Sequence, residues 1–179
     1  MKRATTMSIS LYDATVTNYL QILNSTASVL DKGKSYCEEK NIDPSAIVET
    51  RLIEDMNPFQ FQVISVVHHS LGALKGLEAG EFSPPAGYGD LDYSGLQDLV
   101  SNAISQVGLF DAETVHGWAG KTLTFKLGRH EIPFTAENYV LSFSLPNLNF
   151  HATTTYDVLR MRGVPLGKRD YLGAMRTGV

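Results

Sequence analysis

The chain has 179 residues, 43% of them hydrophobic, with 15 basic and 19 acidic residues and a formal net charge of −4. This length fits one domain with a real core, because chains of about 150 residues hide roughly 70% of their unfolded surface, and the apolar content excludes disorder. The acidic balance argues against nucleic acid, the single Cys37 excludes an intramolecular disulfide framework or thiolate metal cluster, and no stretch approaches the roughly 20 apolar residues of a membrane span.

Lys2 and Arg3 are followed by no apolar run, so residues 1–8 read as a flexible start rather than a signal peptide. A reducing, cytoplasmic setting follows. A first helix is predicted over 8–39, capped by Ser8 or Ser10. Its apolar stripe is Tyr12, Val16, Tyr19, Leu23, Ala27 and Leu30, at steps of three and four. Pro44, just after Asp43, opens a short helix. Residues 51–58 read as an irregular connector, with helix disfavoured at Asn57 by the following proline.

A second long helix is predicted over 59–79, with Val63, Val67, Leu71 and Leu74 facing the core and Gly80 as its stop. In this phase His68 lies on a flank and His69 points nearly opposite the core. Residues 83–92 form a loop, and a third helix over 93–107 buries Leu96, Leu99, Ala103 and Ile104 or Val107. Residues 121–134 change to period two around Gly128 and Arg129, which predicts a small β-hairpin. Two strands alone are marginal, so the hairpin must pack on helices.

The last helix spans 135–162. Leu141, Leu145, Leu148, Ala152, Tyr156 and Leu159 keep one phase through Pro146, which predicts a bent but continuous helix. Tyr139, Phe143 and Phe150 form a second apolar side. This predicts a homodimer built partly on the last helix, with the hairpin or the C-terminal tail as the alternative covers. The expected fold is mainly α: an antiparallel four-helix bundle with a small hairpin before the last helix, in a single domain over 1–179.

Two segments carry a resemblance. Residues 146–156, Pro-Asn-Leu-Asn-Phe-His-Ala-Thr-Thr-Thr-Tyr, run on through Leu159 and Arg160 to Gly163-Val164-Pro165-Leu166-Gly167-Lys168-Arg169-Asp170-Tyr171-Leu172-Gly173. Supporting matches lie at Ser10 to Tyr12, Arg51-Leu52, Asp55-Met56, Pro58 and Gln62-Val63. This pattern resembles an uncharacterised family of bacteria and fungi grouped with the DinB/YfiT-like four-helix bundles. The resemblance implies a DinB-like fold. It also implies kinship with metal-dependent enzymes, some of which act with small thiols. Their metal site takes one histidine from the second helix and an H-x-x-x-H pair from the fourth. Here His151 is kept, Thr155 stands where the second member of the pair belongs, and His68 stands where relatives are expected to carry aspartate.

The residues themselves allow two readings. His68, Asn147 and His151 lie on flanks of two helices, where bundles build internal polar sites. They either converge on a small-molecule pocket or are separate polar groups, each satisfied by its own hydrogen bond. In the first reading Arg51 and Asp55 clamp the pocket mouth, and Tyr156 adds a hydroxyl from the fourth helix. In the second, Arg51 and Asp55 hold an irregular loop. A divalent metal, zinc or nickel, would take His68 and His151 with a carboxylate such as Asp55 or Asp157. No G-x-S-x-G nucleophile motif and no phosphate-binding loop is present. The functional expectation is therefore a protein that binds or transforms a small molecule between the second and fourth helices with a degenerate metal site. The alternative is a non-catalytic, dimeric binding or stress-related protein.

Overall fold

Ser10 and Asp13 begin the first helix by capping each other: the Asp13 N–H donates to Ser10 Oγ at 3.0 Å, and Ser10 N–H donates back to Asp13 Oδ2 at 3.2 Å. The structure is a computed structural model that describes residues 9–178 apart from Ala86 and Tyr88. The flexible start expected over 1–8 lies outside the described residues. A π turn, Asp13–Thr17, leads into α1 (Asn18–Lys40), which closes at Asn41 in the left-handed region, φ 53°. After α2 (Ser45–Val48), α3 (Phe59–Val67) runs through a second π turn, His68–Gly72, into α4 (Ala73–Ala79). Gly80 ends that run at φ 76° and hands the chain to β1 (Glu81–Phe82).

The Asp92 side chain caps α5 (Tyr93–Val107), accepting from the Gly95 N–H at 2.7 Å. The short α6 (Ala112–His116) precedes the hairpin of β2 (Thr122–Leu127) and β3 (His130–Thr135). The last long run is α7 (Ala136–Tyr139), a third π turn at Val140–Ser144, and α8 (Leu145–Met161). A final turn of helix, α9 (Lys168–Leu172), lies against α1.

The bundle is built by α3 packing on α8 and α5, and α1 packing on α5 and α8. Tyr19, Leu23, Leu30, Val63, Leu74, Leu96, Leu148 and Leu159 fill its centre. No helix among the described residues is long and apolar enough to cross a membrane. The sheet has three strands rather than two: β1 adds to the hairpin in parallel, with Glu81 opposite Thr124 and Phe82 opposite Phe125. Two residues following a helix stop leave no readable period, so β1 had no sequence signal of its own. The sheet lies against α4 and α7 and buries Phe82, Leu123 and Phe125.

Helical backbone is continuous from Ala136 to Met161, and Pro146 sits in the first turn of α8. Proline lacks an N–H and crowds the carbonyl four residues back, so the wider π turn just before it accommodates the ring. The extra residue of that turn shifts the stripe by one position. Val140 and Ser144 face the core with Leu148, while Leu141, an expected core residue, is 62% exposed. The hairpin covers Tyr139 and Phe143 of the second apolar side, with Tyr139 fully buried and Phe134 and Phe125 packed on Phe143, while Phe150 stays 55% exposed. The C-terminal segment docks on α1, where Lys32 pairs with Asp170 and Gln21 Nε2 donates to the Leu172 carbonyl. Gly163 makes the preceding turn at φ 92° against the Tyr36 ring. The C-terminal part of the motif, residues 163–173, thus builds a docked tail, while its first part lies in α8.

Candidate functional site

α3 is buried on nearly all sides, because it packs between α8 and α5. The side of this helix opposite the expected stripe packs on α8, so His69, stacked on His151, lies in the interior at 8% exposure instead of outward. That overturns the outward placement expected from an ideal helical phase. The π turn at the end of α3 frees the His69 carbonyl, which accepts from Ser144 Oγ at 2.8 Å; Tyr19 OH lies 2.6 Å from the same Ser144 oxygen. Two π turns, one on each side of the helix pair, are therefore bonded to each other.

Around this junction lies a cleft of about 250 Å³. His68, His69, His151, Ser65 and Asn147 line it together with Phe61, Phe82, Phe125, Phe143, Pro84 and Pro85. It sits between the second and fourth long helices, and its walls are mostly aromatic and apolar rather than polar. Larger hollows of about 380 and 340 Å³ lie elsewhere on the surface, lined by residues such as Asp31 and Lys34 or Lys75 and Glu78, with no histidine among their lining.

The three imidazoles form a chain. The His68 and His69 rings meet edge to face at 5.3 Å, and the His69 and His151 rings lie parallel within 9° at 5.7 Å. Phe82 covers the His68 ring at 4.4 Å. His68 and His151 thus share one cleft, with His69 as the link between them. Burial lowers the pKa of all three, His69 to about 3 and His151 to about 4, and the neighbouring imidazoles push His69 and His151 further in the same direction. All three rings are neutral near pH 7. Among the described residues His68 Nε2 and His69 Nδ1 are buried with no hydrogen-bond partner, an arrangement that calls for an explanation in a native protein.

Asn147 does not orient an imidazole. Its Nδ2 donates to the Phe143 carbonyl one turn back, at 2.7 Å. Gln62 does so instead: its Oε1 lies 2.8 Å from His151 Nδ1, while its Nε2 donates to the Asn57 carbonyl at 2.9 Å. The sequence signal was faint, a glutamine inside the apolar run Phe59–Val67. Arg51 and Asp55 are exposed and do not line the cleft; Arg51 donates to the Met56 carbonyl and ties its own loop. Tyr156 packs edge to face on Tyr171 at 6.4 Å, also away from the cleft. His116 and His130 are exposed.

The donor set does not fit the metal site of the related bundles. Thr155, one turn after His151, turns its hydroxyl to the His151 carbonyl at 2.9 Å. Neither Asp55 nor Asp157 lines the cleft. Among the described residues no group of three or more His, Cys, Asp or Glu side chains is arranged to hold a metal ion. The zinc or nickel expected at His68 and His151 is left without the carboxylate that would complete it.

Residues 11–172 match the family model described as a domain of unknown function, DUF1993. Among solved structures, the crystal structure of a DinB family member protein from Shewanella denitrificans is similar to the chain with a TM-score of 0.80. The two are 26% identical, and the match covers 94% of this chain and 95% of that one. No curated protein matches the chain.

Proposed function

Since the chain belongs to the DUF1993 family and has the fold of a DinB-like protein, we propose that it is a small-molecule-binding protein whose site is the histidine cleft between α3 and α8. The observation that carries this reading is a pair of buried ring nitrogens, His68 Nε2 and His69 Nδ1, that have no partner among the described residues and sit on residues lining the same cleft. Leaving a buried polar atom unsatisfied costs about 1–3 kcal/mol, and a ligand that supplies the missing bonds recovers that loss. Aromatic walls with a few placed polar groups are the usual make-up of a ligand pocket. The protein works in the cytoplasm, a setting that suits its one thiol, Cys37, buried and unpaired.

A set of single-ring aromatic fragments, screened by ¹H–¹⁵N correlation spectra of the full chain, tests this. Shifts should gather on Ser65, His68, His69 and His151, and Asn147→Trp, which fills the cleft from its half-buried edge, should abolish them. Elemental analysis of the purified protein should find no stoichiometric zinc or nickel. Shifts scattered over the surface, or a stoichiometric metal, would refute the reading.

The second reading is a dimeric binding protein, and one observation favours it. Leu141 and Ile9, 62% and 85% exposed, line an apolar hollow of about 160 Å³ with Leu11, Ala14 and Val140. A second copy of the chain seated there would cover it. The two readings are compatible, because this hollow shares no residue with the cleft.

A further inference from the structure

The Asn57 carbonyl can only accept a hydrogen bond, so the Gln62 amide must turn its Nε2 toward it, as it does at 2.9 Å. Gln62 is 2% exposed and has no solvent to flip toward. Its Oε1 is therefore the atom 2.8 Å from His151 Nδ1. An amide oxygen only accepts, so Nδ1 of His151 holds the ring proton and Nε2 holds the lone pair. Among the described residues Nε2 has no protein hydrogen-bond partner. A backbone carbonyl two steps away thus fixes which edge of His151 a ligand meets: an acceptor.

Three further features limit what can meet it. The described lining holds no Lys, Arg, Asp or Glu, so an ionic ligand would lose its hydration with nothing to replace it. Phe61 stands edge to face on the His151 ring at 5.8 Å, and Phe143 on His69 at 5.7 Å, which suits the edge and offset contacts of an aromatic ring. The volume, about 250 Å³, exceeds the roughly 150 Å³ of an apolar cavity that holds benzene, which leaves room for one ring with a substituent. We infer that the cleft takes an uncharged aromatic compound bearing a hydroxyl, of the phenol class, whose O–H donates to His151 Nε2. A hydroxyl also accepts, so its oxygen can take a hydrogen from His68 or His69, whichever orphaned nitrogen is protonated. Gln62 is the positioning residue that sets the acceptor. The inference rests on the small-molecule reading above and narrows it to one ligand class.

The test titrates the full chain at pH 7.5 with 4-methylphenol, 4-methylanisole and 4-methylbenzoate, read by calorimetry and by ¹H–¹⁵N shifts of the lining residues. The phenol should bind in the cleft. The methyl ether, which lacks the donor, should bind about fivefold to tenfold more weakly, the worth of one hydrogen bond. The benzoate should produce no shifts there. Long-range ¹H–¹⁵N spectra of the free wild-type protein should show His151 protonated at Nδ1. Gln62→Leu should mix the two tautomers and bring the phenol-to-ether ratio close to one, which a purely structural role for Gln62 would not do. Equal wild-type affinity for phenol and ether overturns the phenol class and leaves the small-molecule reading standing. His151 protonated at Nε2 in the wild type overturns the class without any variant. Silence with all three probes also overturns it, and the fragment screen then decides whether the wider reading falls too.

Discussion

His69 and His151 stay neutral in the folded chain well below the ordinary histidine pKa of about 6.5, because burial removes the water that would stabilise their cations. Unfolded histidines take up protons as pH falls through 6.5, while these two resist until about 3 and about 4. The unfolded state then binds more protons, so stability should be flat above pH 7 and fall as pH drops from 6.5 toward 4. The groups facing these rings are His68 and each other, with no carboxylate in the described lining to offset the loss. The lowered carboxylates of Asp13, Asp43, Asp111 and Asp170 act in a separate window, below their ordinary value of 3.8. Urea midpoints measured from pH 8 to pH 4 check this, and His69→Phe should flatten part of the decline. A wild-type midpoint constant to pH 4 would contradict the burial of neutral rings. At this scale the sequence placed His68 and His151 on helix flanks but turned His69 outward, whereas the structure buries it. It did not show that Gln62 rather than Asn147 holds His151, since Asn147 finds a closer partner in its own helix.

Among the elements, β1 has the largest effect on the site relative to its length. Its Phe82 is 5% exposed and packs on His68 at 4.4 Å, Tyr139 at 5.3 Å and Phe125 at 6.0 Å. It closes one wall of the cleft and joins the sheet to α4. Phe82→Ala should lower unfolding free energy by about 3–5 kcal/mol, the usual range for losing a buried phenyl ring. It should also speed amide exchange across His68–Gly72. A loss below about 1 kcal/mol in urea denaturation would show that the wall is not packed. The π turns belong to this scale as well. The turn at Val140–Ser144 adds one residue to its helix and turned Leu141, an expected core residue, outward. The freed His69 carbonyl is repaired by Ser144 from the facing turn, a pairing that no period within a single helix reveals.

For the whole molecule, the second apolar side of the last helix has an answer within the chain. Tyr139 and Phe143 are spent on the hairpin and Phe82, while Phe150 is 55% exposed; the dimer proposed above is built on Ile9 and Leu141. If the proposed dimer forms there, light scattering at micromolar concentration should give about twice the 19.7 kDa chain mass, and Leu141→Asp should return the monomer. A wild-type monomer would remove the dimer and leave the cleft unaffected, since the two surfaces share no residue.

The helices and most of the bundle core were legible because they depend on near neighbours: three- and four-residue spacing, Ser10 at a helix start and Gly80 at a helix end. The resemblance in residues 146–173 placed the chain among DinB-like bundles, and the tail that this motif encodes docks through local turns and a few contacts to α1. The site required contacts between residues far apart in sequence. Gln62 meets His151 across 89 positions, Ser144 meets His69 across 75, and β1 finds β2 through a parallel pairing that only the folded bundle aligns. Periodicity reports which side of a helix is apolar. It does not report where a π turn will rotate that side, because the turn is stabilised by the partner that repairs its open carbonyl, and that partner arrives only with the tertiary fold.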